Sequence, residues 1–303
     1  MTLRTAEMRR VQRALLDWHR REGQRAPWRE SRDPYHALLA AVMAQQTQMS
    51  RVLPSYERFL AAFPTIEALA RASRAEVVRA WAGMGYNRRA VRLHEAARII
   101  AREEWPRTAG ALARIGGIGP FTAAIVASFA FGEAAAAVDT NVRRVLGRLA
   151  GDESLRGRAL QSLAGAWLPA DGPARWNQAL MDYGAAVCTP RPRCDACAVV
   201  RWCASKERYA GGGPAVAEEQ AVYRVRPAKK EAPFEGSARY YRGRIIEVLR
   251  GLPPGASVRL VALPSLIADG RPAPPPERTR ELVRALEREG LASVRRSRVS
   301  LPE

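Results

Sequence analysis

The chain has 303 residues, 47% of them hydrophobic, and sets 49 Lys and Arg against 30 Asp and Glu for a net charge of +19. This length allows two domains, or one large domain with a smaller partner, and the basic excess points to a polyanion, with nucleic acid as the default. No apolar run reaches membrane-spanning length and the arginine-bearing N-terminus lacks a signal-peptide core, so a membrane protein is excluded and a monomeric, cytoplasmic, nucleoid-associated one is expected.

Leu3, Met8, Val11, Leu15, Leu16 and Trp18 recur at helical spacing on a basic stretch that Gly23 ends. A Pro-bearing loop through Pro27 and Pro34 leads to a helical stretch, His36 to Ala44, and then to Gln45-Gln46-Thr47-Gln48. Leu53 to Phe63 reads as the next helix, stopped by Pro64. Thr65 and Ser73 look like helix starts, the second as the capping box Ser73-Arg74-Ala75-Glu76. Gly83-Met84-Gly85-Tyr86-Asn87 breaks the chain before a helix from Arg88 to Arg102.

Ile115-Gly116-Gly117-Ile118-Gly119 follows, three glycines in five residues ahead of an apolar helix. This predicts a tight turn feeding a helix N-terminus, where bare amides and the positive end of the helix dipole offer a seat for phosphate. Neither G-x-G-x-x-G nor G-x-x-x-x-G-K-[ST] occurs and no strand pattern precedes the glycines, which excludes the dinucleotide and P-loop readings. About twenty residues on stands Asp139, readable alone as a helix N-cap and in context as a carboxylate near the turn. Helical pattern resumes over 142–149, about 155–168 and 176–186, and the first 210 residues read as all-α.

All four cysteines fall within sixteen residues, Cys188, Cys194, Cys197 and Cys203, spaced C-x5-C-x2-C-x5-C. Such crowding in a cytoplasmic chain points to a metal site rather than to disulfides. One central CxxC suits a four-iron cube reached from a single loop, and zinc, which prefers two well-separated CxxC pairs, is the alternative. Arg191, Arg193, Arg201 and Lys206 surround the thiols in sequence and would offset their charge.

Gly211-Gly212-Gly213-Pro214 opens a linker expected over 211–236. From 237 to 303 the pattern gives a helix around Ile245 to Leu249, a strand or short helix over 258–267, a helix from Thr279 to Glu289, and a hairpin carrying Arg295, Arg296 and Arg298. That outline matches a winged-helix module, with a small docking domain as the alternative.

The glycine hairpin, the Asp about twenty residues later and the four-cysteine loop together resemble the helix-hairpin-helix (HhH-GPD) base-excision DNA glycosylases, in particular their MutY-type adenine glycosylase and endonuclease III branches. Val42-Met43-Ala44-Gln45-Gln46-Thr47-Gln48, Pro54 to Phe59 and Val138-Asp139-Thr140-Asn141 to Val145 carry the resemblance, which covers about residues 10–206. It implies an all-α, two-lobed fold: a six-helix barrel over about 30–136, and a [4Fe-4S] cluster domain from about 1–29 plus 137–210. It also implies double-stranded DNA with a damaged or mismatched base as partner, the base being flipped out for attack because a stacked duplex hides the glycosidic bond. By position, Asp139 is implied as the catalytic carboxylate, and Gly117 and Gly119 as amide donors to a DNA phosphate. Gln45 would fill the gap left by the flipped base with Gln46 and Thr47 beside it, Tyr86 would act as a wedge, and Cys188, Cys194, Cys197 and Cys203 would hold the cluster.

Departures from the family pattern bear on chemistry. Endonuclease III has a lysine where Phe121 stands, and without an amine no Schiff base forms, so a monofunctional glycosylase is expected. MutY carries a glutamate where Ala41 stands, and adenine leaves poorly unless a ring nitrogen is protonated. MutY also ends in a larger Nudix-like domain, where this tail is shorter and reads as winged helix, and the first cysteine gap is five residues rather than six. These departures favour uracil or thymine opposite guanine, with a divergent adenine glycosylase, using Glu30, His36 or a water as acid, as the alternative. A non-catalytic DNA-damage-binding protein is the alternative from another class.

Overall fold

The computed structural model describes residues 5–209 and 234–303, so most of the linker expected over 211–236 lies outside the described residues. Residues 5–209 form α1 (Thr5–Glu22), α2 (Pro27–Glu30), α3 (Pro34–Ala44), α4 (Met49–Ala62), α5 (Ile66–Arg71), α6 (Arg74–Ala80) and α7 (Arg88–Glu103). The same stretch continues with α8 (Ala109–Leu112), α9 (Pro120–Ala130), α10 (Thr140–Ala150), α11 (Gly157–Ala166), α12 (Pro173–Ala186) and α13 (Lys206–Tyr209), with no strand among its described residues. The all-α expectation holds, and its local signals are in place. Thr65 accepts from the Ala68 amide, Ser73 and Glu76 close their capping box, and Pro120 opens α9 at a position where a missing N–H costs nothing. Helix α4 begins a turn earlier than its apolar pattern indicates and carries Pro54 inside.

The chain divides into two compact units. One gathers the described parts of residues 1–38, 106–114 and 119–227; the other those of 39–105, 115–118 and 228–303. Helix α9, placed within the barrel by the sequence reading, belongs to the unit that carries the cysteines, where it packs on α12.

In the first unit α1 and α10 pack on α12. Val11, Leu15 and Trp18 from α1 meet Val145 and Leu149 from α10 and Trp176 and Tyr183 from α12, all buried. Trp18 stands edge-on to Tyr183 at 4.9 Å between centroids, a favoured aromatic geometry. Buried Asp182 ties this face to the N-terminal loop. It accepts from both terminal nitrogens of Arg29 at 2.6 and 2.8 Å and from the Gln24 amide at 2.9 Å, with His19 Nε2 at 3.3 Å. Burial alone would raise its pKa, but the Arg29 and His19 bonds win and hold the carboxyl down to about 2.

In the second unit α7 packs against α5 and α6. The C-terminal residues of this unit form α14 (Ala238–Gly251), β1 (Val258–Arg259), α15 (Leu263–Leu266), α16 (Pro276–Arg288), β2 (Ser293–Arg295) and β3 (Arg298–Ser300). The three strands make an antiparallel sheet in the order β1-β3-β2, with Val299 opposite both Val258 and Val294. Arg296 and Ser297 turn the hairpin with φ of 48° and 59°, both left-handed as a two-residue turn of this hand requires. Ile245, Ile246, Leu249, Val283, Leu286 and Val299 share one apolar core with Val78 of α6 and Val91 of α7. Arg250 reaches from α14 to the Val78 carbonyl and to Asn87 Oδ1, each at 2.8 Å, and Arg79 donates to the Leu252 carbonyl at 3.0 Å.

Candidate active site and cysteine centre

Asp139 is the N-cap of α10, as its sequence context allows. Its Oδ1 accepts from the Val142 amide at 2.7 Å and its Oδ2 from Asn141 Nδ2 at 2.9 Å. Burial nevertheless dominates and raises its pKa above the usual 3.8, outweighing the bonds from Val142 and Asn141 and the nearby Arg144 charge, all of which lower it. A half-buried carboxylate at a helix N-terminus, fixed in orientation and raised in basicity, can stabilise a cationic transition state or take a proton from water.

The segment entering Asp139 is pinned as firmly as the helix leaving it. Buried Asn177 of α12 accepts from the Ala137 amide at 3.1 Å, and its Nδ2 donates to the Ala135 carbonyl at 2.9 Å and to Ser128 Oγ at 3.1 Å. On the other side Arg144 donates to Asn141 Oδ1 at 2.7 Å, to the Gly184 carbonyl at 2.7 Å and to the Cys188 carbonyl at 2.6 Å. Gly184 lets the two helices close, since a Cβ there would lie 2.6 Å from Asn141 Cβ. A continuous set of bonds thus runs from the Asp139 carboxylate through Asn141 and Arg144 to the first cysteine.

All four cysteines are free and line one pocket, together with Arg148, Arg193 and Lys206. Arg148, one turn past Arg144, directs Nη1 at Cys188 Sγ at 3.5 Å and donates to the Thr189 carbonyl at 2.7 Å and the Pro190 carbonyl at 3.2 Å. The Tyr183 hydroxyl donates to Cys197 Sγ at 3.1 Å and accepts from the Ala198 amide at 2.8 Å. Burial pushes the Cys188 and Cys194 thiols up and takes Cys203 to about 11, so this loop holds thiolates only with added positive charge. Arg148 supplies part of it, lowering Cys188 against that burial. Among the described residues no three His, Cys, Asp or Glu side chains form a group able to hold a single metal ion. Of the cations expected at the thiols, Arg193 and Lys206 line the pocket, whereas Arg201 stacks on Trp202 at 3.8 Å.

In the glycine turn Ile115 and Ile118 are buried while Gly116, Gly117 and Gly119 are exposed. Gly117 has φ of +93° and a Cβ there would fall 2.9 Å from Arg92 Cβ, so both backbone and space demand glycine. Gly119 is the N-cap of α9 and provides no side-chain cap, and Phe121 lies half-buried in the first turn. Ala41 is buried in α3.

Gln45, Gln46 and Thr47 form the turn after α3, and Tyr86 lies in the turn before α7, 52% exposed. Gln46 and Tyr86 are both left-handed, at φ of 52° and 43°. Arg89 brings these two turns together, a role its sequence context does not announce. Asn177, Arg144, Arg148 and Gly184 were likewise not singled out by sequence, although Arg144 and Arg148, four residues apart, share a face of α10.

The family described as HhH-GPD superfamily base excision DNA repair protein matches residues 39–167. An adenine DNA glycosylase of Mycobacterium tuberculosis is 39% identical over 248 residues, covering 78% of this chain and 77% of the relative. Among solved structures, a thermostable thymine-DNA glycosylase superposes with a TM-score of 0.64 at 30% identity, over 67% of this chain and 98% of that one. A non-covalent endonuclease III–DNA complex superposes with a TM-score of 0.59 at 21% identity, over 69% of this chain and 100% of that one, a likeness of fold. The chain therefore belongs to the HhH-GPD superfamily of base excision DNA repair proteins.

Proposed function

We propose that this protein is a monofunctional DNA glycosylase that binds double-stranded DNA and hydrolyses the glycosidic bond of a mispaired adenine. The observation that carries this reading is Asp139, held in one orientation by Asn141 and the Val142 amide in a family of base-excision proteins. In it, the carboxylate stabilises positive charge on the sugar as the base departs and receives the proton of the attacking water. Gly117 and Gly119 present backbone amides to a phosphate, while Gln45, Gln46, Thr47 and Tyr86 enter the duplex around the extruded base. Phe121 has no amine, so the sugar is left as an abasic site and the strand stays intact.

Adenine takes precedence because the similar sequence relatives are named adenine DNA glycosylases. The uracil or thymine preference read from Ala41 gains no support from those names. It stands as a second reading, favoured by the absence of an acid at Ala41 and by the likeness to a thymine-DNA glycosylase. Under the adenine reading the ring proton comes from a group other than residue 41, with Glu30, His36 and water as the candidates.

Four free thiols round one pocket, with Arg148 and Lys206 beside them, fit a [4Fe-4S] cluster held by Cys188, Cys194, Cys197 and Cys203. When bound, such a cluster cross-links the loop that Arg144 and Arg148 tie to α10. Over 237–303, the order helix, strand, helix, helix and basic hairpin supports a winged-helix module following a glycosylase region over 1–210.

Duplexes containing A·8-oxoguanine, A·G, U·G, T·G or hypoxanthine test the reading, each product being split with and without alkali. Adenine release with breaks only after alkali is expected. Release confined to U·G or T·G would establish the second reading, and breaks without alkali would overturn the monofunctional assignment.

A further inference from the structure

We infer that Arg89 is a positioning residue that couples the Gln45–Thr47 turn to the Tyr86 turn, so that the two enter DNA as one rigid unit; this rests on the base-excision reading above. Arg89 is 9% exposed, and among the described residues no carboxylate pairs with it. Its Nη1 donates to the carbonyls of Val42 at 3.0 Å, Met43 at 2.9 Å and Gln45 at 2.5 Å. Its Nη2 donates to Thr47 Oγ1 at 3.0 Å and to the carbonyls of Met84 at 3.0 Å and Gly85 at 3.3 Å. The guanidinium lies 5.4 Å from the Trp81 ring centroid and 5.6 Å from that of Tyr86, within cation–π range of both.

A buried cation without a counterion is costly, and here the oxygen acceptors of residues 42, 43, 45, 47, 84 and 85 stand in for the counterion. What the guanidinium provides is reach. One planar fork satisfies the last carbonyls of α3 and, through its other nitrogen, the carbonyls at 84 and 85, across more than forty residues of sequence. A residue that merely capped α3 would need only the first set. Each bridged turn also holds a non-glycine residue in the left-handed region, Gln46 and Tyr86, a strained geometry that persists only where the surroundings fix it. A lysine keeps the charge but, as a compact point donor, cannot serve both turns.

The test uses the full-length chain with Asp139→Asn to stop base release, and a duplex carrying 2-aminopurine at the target position, whose fluorescence rises when it leaves the stack. Arg89→Lys is expected to cut the fluorescence gain at saturating protein by roughly ten-fold, the scale of losing a charge-assisted hydrogen bond. The same substitution is expected to change nothing further when Gln45→Ala and Tyr86→Ala are already present. A role confined to stability would instead add its effect in both backgrounds, and that outcome, or a full gain in Arg89→Lys, would overturn the inference alone. No gain with Arg89 intact would overturn the base-excision reading and the inference together. Should Arg89→Lys not fold, Thr47→Val removes one acceptor on the first turn. Non-additivity with Tyr86→Ala on the second turn then supports the coupling, and additivity refutes it.

Discussion

At Asp139 two opposing influences act on one carboxyl: burial raises its pKa, while the bonds from Val142 and Asn141 and the charge of Arg144 lower it, and burial prevails. In the proposed reaction the ionised form is the one that stabilises a cationic sugar, so that reaction requires deprotonation. The rate is therefore expected to fall with decreasing pH through an acid limb lying above the usual carboxylate value of 3.8. A single-turnover pH–rate profile checks this, and Asn141→Ala, which removes one bond to the carboxylate, should move the limb further upward. The glycine, Asp139 and cysteine positions are legible in sequence because their chemistry or backbone conformation restricts the residue type. Arg89, Arg144 and Asn177 are not, since each gains its role from carbonyls about forty residues away, and periodicity reports which face of a helix is buried without saying what it meets.

Helix α10 joins the Asp139 carboxylate at its N-cap to the cysteine loop through Arg144 and Arg148, and α12 lies against it because residue 184 is glycine. Gly184→Ala would place a methyl 3.0 Å from Asn141 Cα as well as 2.6 Å from its Cβ, so backbone must move. The expected cost is about 1–3 kcal/mol of stability by overpacking. Base release should suffer more, by on the order of 10²-fold, because Asn141 orients Asp139 and a shift of about 1 Å in a catalytic group has that effect. Thermal melts alongside single-turnover rates separate the two effects. At this scale the helices themselves were readable from their starts, as at Ser73 and Asp139, where a side chain bonds its own first turn. Over 258–267 the pattern leaves strand and short helix open, and both occur, a two-residue β1 followed by α15, because the pairing of β1 with β3 is set forty residues downstream and leaves no period in so short a segment.

Across the whole molecule, the C-terminal module is not an appendage to its unit. It shares an apolar core with α6 and α7, and Arg250 bonds the Val78 carbonyl and Asn87, the residue next to Tyr86. Burial takes the Arg250 pKa down to about 10, yet it stays charged at neutral pH. Arg250→Ala is expected to destabilise the protein by about 1–3 kcal/mol, read as a lower urea midpoint with unchanged slope. The net charge of +19 and the separate basic hairpin predispose the molecule to a polyanion, but the chemistry we propose rests on one carboxylate. Its most direct test is a single turnover on an A·8-oxoguanine duplex, with free base quantified by chromatography for the wild type and for Asp139→Asn. Free adenine from the wild type, an intact strand until alkali is added, and a loss of several orders of magnitude in Asp139→Asn are predicted. Equal release by both proteins, or none by either on any mispair, would contradict the account.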